Sequence, residues 1–513
     1  MSASENSRPA RNFELLIALL LLVLLSAAAV IWVHQRGYTL YFGDAEAHLN
    51  LARRVADSRT PGPSQIGAVW LPVPHILMLP FVRHDSLWHS GLAGAIPAAL
   101  CFVAAGILLF ATARRVYGTT AAAATTLCVF ALNPNLLYLQ STPMTEPVLA
   151  GMLAALLYCS VRFRESQSLV WVVAAGIAGM ATALARYEGW SLIPLLTLYF
   201  LVAARRRRFV TACLFGALAS MGPLLWLAHN WWHWGDALEF YHGPYSALAI
   251  YQRLLDAGMS RYRGDHNWRD AAFYYWNSVR MAVGSPVLWL GIAGMLAACF
   301  KRAIWPVIML VTPTLLIISS IHSGGTPIYM PHLWPFSYWN TRFGVTALPA
   351  LAFAAGALVA LAPARFRAPA WLLISGLVVV TWIGSLRPDA WICWKESQVN
   401  SDARRAWTKE AADFLKSRYR PGTGIAMAFG DLAGILREAG IPLRESLHED
   451  NVPAWQAAVA KPGFFLWEEW AVTMAGDPVD TAIVRAGRNG PNYERLKTIA
   501  LKGAPVIHIY RRN

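Results

Sequence analysis

Asp44 and Glu46 stand two positions apart in Tyr41-Phe-Gly-Asp-Ala-Glu-Ala-His48, shortly after the first long apolar run of the 513-residue chain. Carboxylates beside an imidazole (His48) and a guanidinium (Arg53) can take a proton from a hydroxyl and hold an anion. The same mixture recurs further on. Glu146 follows Ser141-Thr-Pro-Met-Thr145, Glu188 lies in Arg186-Tyr-Glu-Gly-Trp190, and His75, His332 and Arg342 sit in comparable places near the ends of apolar runs. Solvation at an interface explains each of these residues taken singly. Asp44 is set apart because a glycine precedes it and a helix-like stretch, 45–56, follows. The bland alternative for it is a helix N-cap.

The elements that position these groups are membrane spans. Of all residues 56% are apolar and 14% charged, a composition typical of membrane proteins. Five of the six cysteines, Cys101, Cys128, Cys159, Cys213 and Cys299, fall in apolar runs and only Cys393 lies outside, so no disulfide framework is implied. Apolar runs occupy 13–33, 91–111, 120–139, 144–161, 168–185, 189–204, 209–228, 282–300, 303–321, 343–362 and 369–386. Each approaches the roughly 20 residues needed to cross a bilayer, giving eleven expected spans.

The net charge of +15 invites a nucleic-acid reading, but its distribution argues against one. Fourteen basic residues fall in six short segments between runs: Arg8/Arg11, Arg114/Arg115, Arg162/Arg164, Arg205 to Arg208, Lys301/Arg302 and Arg365/Arg367. The alternate loops 140–143, 186–188 and 322–342 hold only Arg186 and Arg342. The positive-inside rule places the N-terminus and the six basic segments in the cytoplasm and the carboxylates outside. A competing reading takes the first run, with Ala27-Ala-Ala29, as a cleaved secretory signal. The run is long for that purpose, and Asp44 lies outside either way.

Two outer loops, 34–90 and 229–281, belong to the membrane domain 1–386. In the second, Tyr245–Leu255 reads as an interfacial helix, with Trp231, Trp232, Trp234, Tyr274, Tyr275 and Trp276 as an aromatic belt. Residues 387–513 read as a small outer α/β domain. Its expected helices are Asp402–Tyr419, Asp431–Ala439 and Pro453–Ala460, and its expected strands Gly424–Phe429, Gly463–Trp467, Thr481–Val484 and Pro505–Tyr510. The fold class is therefore mainly α, a polytopic helical membrane protein with an extracytoplasmic α/β domain. Asp44-Ala-Glu46 has the look of a metal-holding Asp-x-Asp of nucleotide-sugar enzymes, but nucleotide sugars are cytoplasmic. His448-Glu-Asp-Asn lacks the second histidine of a zinc-protease motif.

These features together resemble the GT-C glycosyltransferases, specifically the protein O-mannosyltransferase and lipid A aminoarabinose transferase group. That group carries Asp-Glu-x-x-Tyr-Ala-x-Ile-Ala-Arg after its first span. This chain reads Asp44-Ala-Glu-Ala-His-Leu-Asn-Leu-Ala-Arg53, with His48 at the tyrosine position. The family's Lys-Pro-Pro-Leu stretch has a loose counterpart in Trp70-Leu-Pro-Val-Pro-His75, where the lysine is missing and His75 is the substitute. Thr145-Glu146 and Arg186-Tyr-Glu188 resemble later motifs.

The resemblance implies a polyprenyl-phosphate sugar donor and a protein, lipid or glycan acceptor. It implies a hexosyl or pentosyl transfer with inversion, at the outer face of a bacterial inner membrane. Asp44 would be the general base, and Glu146 would position the acceptor or share a cation. Glu46, Arg53, His48, His75, Arg186, Glu188, His332 and Arg342 would bind substrate. Arg253, Arg261 and Arg263 would meet the donor phosphate where 245–281 lines the groove for the prenyl tail. No certain cofactor is implied, and a divalent cation, Mg or Mn, held by Asp44 and Glu146 is an open alternative. The runner-up function is a transporter or flippase of a lipid-linked saccharide, against which stands the lack of paired broken segments in two related halves.

Overall fold

The computed structural model describes residues 7–383, 387–487, 490 and 492–513. The expected domain boundary at 386/387 and the end of the run 369–386 touch residues outside those described, as do the side chains of Arg8 and Arg11. The chain divides into two compact units. The first comprises Met1–Arg36, Ala68–Pro74 and Ala95–Glu396, the second Gly37–Gly67, His75–Gly94 and Ser397–Asn513.

Unit 1 is helical. Among the described residues seven helices are long and apolar enough to cross a bilayer: Asn12–Gln35, Leu92–Tyr117, Glu146–Ser166, Arg208–Trp234, Ile304–Ser323, Thr341–Leu361 and Ala364–Ile383. An eighth results if Trp268–Val283 and Ser285–Phe300, bent by 110° at Gly284, count as one. Over their described residues all eleven apolar runs are largely helical, but several are too short or too broken to qualify alone. Leu169–Ala185, at 17 residues, is one. At about 1.5 Å per residue it is roughly 25 Å long, against a hydrocarbon layer of about 30 Å. The run 120–139 breaks at Asn133-Pro134, because proline has no N–H to continue the ladder.

That break and the bend at Gly284 answer one another. Ending a helix inside apolar surroundings strands carbonyls that water cannot reach. The Ala282 carbonyl, next to the bend, accepts hydrogen bonds from the side-chain amides of both Asn133 and Asn135, each 3.0 Å away. Asn133 also caps its own helix by accepting from the Leu136 N–H, and Asn135 accepts from the Cys393 N–H at 2.9 Å. Two helix interruptions thus share one set of polar partners.

The middle of the unit is Thr341–Leu361, with 83% of its best span window buried, whereas only 11% of the window in Ala364–Ile383 is buried. Small residues permit the close approach: Gly291 faces Leu351, and Gly294 faces the backbone of Ala354. The interfacial helix is present as Ala247–Asp256, capped by the Ser246 hydroxyl, which accepts from the Ala249 N–H. Tyr245, Ile250 and Leu254 are exposed there.

Unit 2 is α/β. Its strands are β1 (Ile425–Ala426), β2 (Ser446–Leu447), β3 (Trp470–Met474), β4 (Tyr493–Ile499) and β5 (Ile507–Arg512), in sheet order β2-β1-β3-β5-β4. β1 runs parallel to β2 and β3, whereas β5 is antiparallel to β3 and β4. Two expected strands are corrected. Gly463–Trp467 holds a helical turn, Pro462–Phe465, and Thr481–Val484 lies inside the helix Pro478–Ala486. The Asp477 side chain caps that helix by accepting from the Asp480 N–H at 2.8 Å, and Pro478 fits its first turn. β2, β3 and β4 were not expected. The core of the unit mixes Leu49, Met78, Val82 and Trp88 with Trp407, Leu415, Ile425, Ile435 and Val472, so most of the first outer loop folds with the C-terminal residues.

His448 is fully buried there, stacked on Phe429 at 3.9 Å between ring centroids. Burial holds its imidazole well below the ordinary histidine range, and Arg54 and Arg59 add to the effect. A folded-state pKa below the unfolded one means that proton uptake favours unfolding. Stability is then complete above about pH 6.5 and falls as the pH drops below it. Thermal melts at pH 7.5 and 5.0 are expected to show this acid-side loss, and His448→Phe to reduce it. A second expectation concerns unit 1. Asn135→Leu removes a donor from the Ala282 carbonyl and an acceptor from the Cys393 N–H, and is expected to cost about 1–3 kcal/mol for each group left unsatisfied, read as a lower melting temperature in detergent.

Candidate functional site

Unit 1 buries a chain of alternating charges. Glu146 opens the helix Glu146–Ser166, Arg186 ends the helix before it turns, and Glu188 lies on the short 3-10 turn Tyr187–Ser191. That turn presses on the preceding helix so closely that a Cβ on Gly189 would lie 2.5 Å from the Thr182 carbonyl oxygen. The Tyr187 hydroxyl donates to the Val69 carbonyl at 2.7 Å and accepts from the Trp226 indole at 3.0 Å, fixing the turn from outside. Arg342 comes from the 3-10 segment Thr341–Ala347.

The contacts are continuous. Arg186 donates to Glu188 Oε1 through Nη2 at 2.8 Å and through Nε at 3.1 Å. Its Nη1 reaches the Thr145 hydroxyl at 2.8 Å and Glu146 Oε1 at 3.3 Å. Arg342 Nε approaches the same Glu146 oxygen at 3.3 Å, and its Nη1 donates to Glu396 Oε1 at 3.0 Å. The Phe343 ring lies between 5.2 and 5.3 Å from both guanidinium carbons. Glu146 Oε2 has no hydrogen-bond partner and lines a small apolar cavity with Leu149, Leu153 and Thr346.

Four predicted residues, Glu146, Arg186, Glu188 and Arg342, are therefore brought together. A fifth, Glu396, was missed, because it falls in the stretch 387–513 assigned to the outer domain. Glu396 accepts from the backbone N–H groups of Asn340 at 2.9 Å and Thr341 at 2.7 Å, and from the Thr341 hydroxyl. Burial pushes its carboxyl upward, against the pull of Arg342 and of those donors. Three carboxylates face two guanidiniums, so the charges balance when one carboxyl keeps its proton.

The predicted loop cations stand apart from this chain. Arg253 donates to the Pro244 carbonyl at 2.6 Å, Arg261 pairs with Asp265 at 3.2 Å, and Arg263 lies 5.9 Å from the Trp334 ring. His332 is near Asn277 and Arg280. Burial lowers its pKa, and Arg280 lowers it further.

Unit 2 holds the other predicted group, on the helix Gly43–Arg54. Asp44 and Glu46 lie in its first turn, where the helix dipole favours negative charge. The two differ sharply. Glu46 is buried and gripped at both oxygens, by Arg404 at 2.5 Å and Arg437 at 3.0 Å. Asp44 remains partly exposed and shares a helix face with His48, four residues on. His48 Nδ1 and His75 Nε2 are 2.9 Å apart and both rings are buried, so one nitrogen of the pair donates and the other accepts.

Arg53 is engaged at Asp57, the Val82 carbonyl and Asp85, which makes it a tie inside the unit. Arg404, Arg437 and Asp431, whose carboxylate reaches the vicinity of Gly43, went unrecognised in the sequence. Their contacts join positions more than 350 residues apart, which local patterns do not encode. Among the described residues no group of three or more His, Cys, Asp or Glu is arranged to hold a metal ion.

Residues 87–232 match the sequence family described as dolichyl-phosphate-mannose-protein mannosyltransferase. No curated protein sequence matches the chain. Among solved structures the chain is similar to ArnT from Cupriavidus metallidurans bound to undecaprenyl phosphate. The TM-score is 0.56 and the identity 14%, over 94% of this chain and 97% of that one. The apo state of the same enzyme gives a TM-score of 0.52 at 15% identity with the same coverage. The chain has the ArnT-like GT-C fold.

Glu46→Gln is expected to destabilise the protein by about 3–5 kcal/mol, because it leaves two buried arginines short of charge. Denaturant or thermal unfolding of the purified protein measures this.

Proposed function

We propose that this protein transfers a sugar from a polyprenyl-phosphate donor to an acceptor hydroxyl on the outer side of the membrane. The fold shared with ArnT and the family match support glycosyl transfer in general. The donor class is supported by the undecaprenyl phosphate bound to that relative. The observation that carries the assignment of the base is the divergence of Asp44 from Glu46. Of two carboxylates in one helical turn, one is locked by arginines and the other is partly exposed, four residues before His48 on the same helix.

The reaction then balances simply. The acceptor hydroxyl gives its proton to Asp44, and its oxygen bonds to the anomeric carbon from the face opposite the phosphate, so the product is inverted. The bond from that carbon to the phosphate oxygen breaks, and polyprenyl phosphate departs. A phosphate monoester has a second pKa near about 6, so it needs charge stabilisation more than a general acid. The His48–His75 pair is the nominated partner of that charge in unit 2. In unit 1 Glu146 is a positioning residue, since its Oε1 stands 3.3 Å from both Arg186 Nη1 and Arg342 Nε, and Arg342 is nominated to meet the lipid phosphate. The scheme needs no divalent cation. If a cation acts in the reaction, EDTA abolishes transfer and added Mg or Mn restores it.

The test is incubation of purified protein with labelled polyprenyl-phosphate sugars. Asp44→Asn is expected to reduce transfer by about 10²–10⁴-fold while donor binding and melting temperature stay near those of the parent. Normal transfer by that variant rejects Asp44 as the base. Movement of the lipid-linked saccharide across the bilayer without transfer would favour the flippase reading.

A further inference from the structure

We infer that Glu396 is a positioning residue for donor binding, holding the Arg342 guanidinium and its backbone segment in one orientation. The inference rests on the reading above, in which Arg342 serves the lipid phosphate.

Four donors converge on this one carboxylate: the N–H groups of Asn340 and Thr341, the Thr341 hydroxyl and Arg342 Nη1. Both oxygens are used twice, and the group is buried, with 2% exposure. Asn340 sits at φ +54°, in the left-handed region, where a non-glycine residue is held by its surroundings. Its side-chain amide donates to the Pro327 carbonyl at 2.9 Å, and its backbone N–H donates to Glu396. The turn that delivers Arg342 is therefore fastened at its start by Glu396. The guanidinium donates from Nη1 to Glu396 at 3.0 Å, while its Nε stands 3.3 Å from Glu146 as an ion pair without a hydrogen bond, so Glu396 is the carboxylate that directs it.

A carboxylate is the side chain that does this best. It offers acceptors on both edges and no donor, whereas a glutamine in the same place turns an N–H against one pair of donors. Extra negative charge beside a phosphate site is a cost, which the four donors and the Arg342 charge offset. The benefit is geometric. A long arginine side chain otherwise loses rotamer freedom at the moment of binding, and prior fixing removes that cost from the donor's affinity.

The experiment compares donor KM and kcat for Glu396→Ala, Glu396→Asp, Arg342→Ala and the Glu396→Ala/Arg342→Ala double variant, with Asp44→Asn alongside. Glu396→Ala is expected to raise the donor KM about tenfold or more with a smaller change in kcat. Aspartate is expected to recover part of that loss. The double variant is expected to be no worse than Arg342→Ala, because one residue acts through the other. A purely structural role would lower the melting temperature and the active fraction, and so kcat, without a selective rise in KM. Parental KM in Glu396→Ala overturns the inference, and so does full additivity in the double variant. The reading it rests on fails separately, if Asp44→Asn and Arg342→Ala both transfer normally.

Discussion

Glu146 Oε1, shared by two arginines inside a helical bundle, is the interaction on which unit 1 is organised. Charges removed from water are costly unless paired, and a carboxylate with a single partner does not repay its desolvation. The alternation Glu188, Arg186, Glu146, Arg342, Glu396 gives each charge an opposite neighbour on every side that has one. Five residues from four separate stretches of chain are thereby committed to one arrangement. The local backbone obeys that commitment: the tight turn at Gly189 directly follows Glu188, and the left-handed Asn340 lies two residues before Arg342.

In unit 2 the corresponding constraint is Glu46. Its two arginines come from the helices Ile392–Lys416 and Ala433–Ala439, which brings both onto the helix that carries Asp44. Gly434 makes the approach feasible, since a Cβ there would stand 2.6 Å from Glu46 Oε1. A pair that looks equivalent in the sequence is split into one structural anchor and one partly exposed carboxylate.

The legible part of this architecture came from long, repeated signals. Apolar runs of about twenty residues and clustered arginines mark the spans because the bilayer imposes both length and charge asymmetry. Glu146, Arg186, Glu188 and Arg342 were legible for the same reason, as charges at the edges of apolar runs. Short elements were not. Thr481–Val484 looks like a strand, and only the Asp477-Pro478 start signal marks it as helix. The seven-residue strand β4 is largely polar on its exposed positions and gives no apolar alternation strong enough to find. Asn133 and Asn135 lie inside the expected span 120–139, and their part in its break shows only when the Ala282 carbonyl is seen between them.

The sequence by itself determined that this is a polytopic membrane protein, that its carboxylates gather near run ends, and that Asp44 heads a helix after the first run. Those properties depend on local composition and on the thickness of a hydrocarbon layer. Tertiary structure alone decided that Glu46 is an anchor, that Arg53 is tied to Asp57 and Asp85, that His48 meets His75, and that Glu396 completes the buried charge chain. Apart from the Arg53–Asp57 pair, four positions apart on one stretch, each of those outcomes rests on a partner tens or hundreds of residues away. A buried charge is defined by the groups that neutralise it, and only the folded chain brings them together.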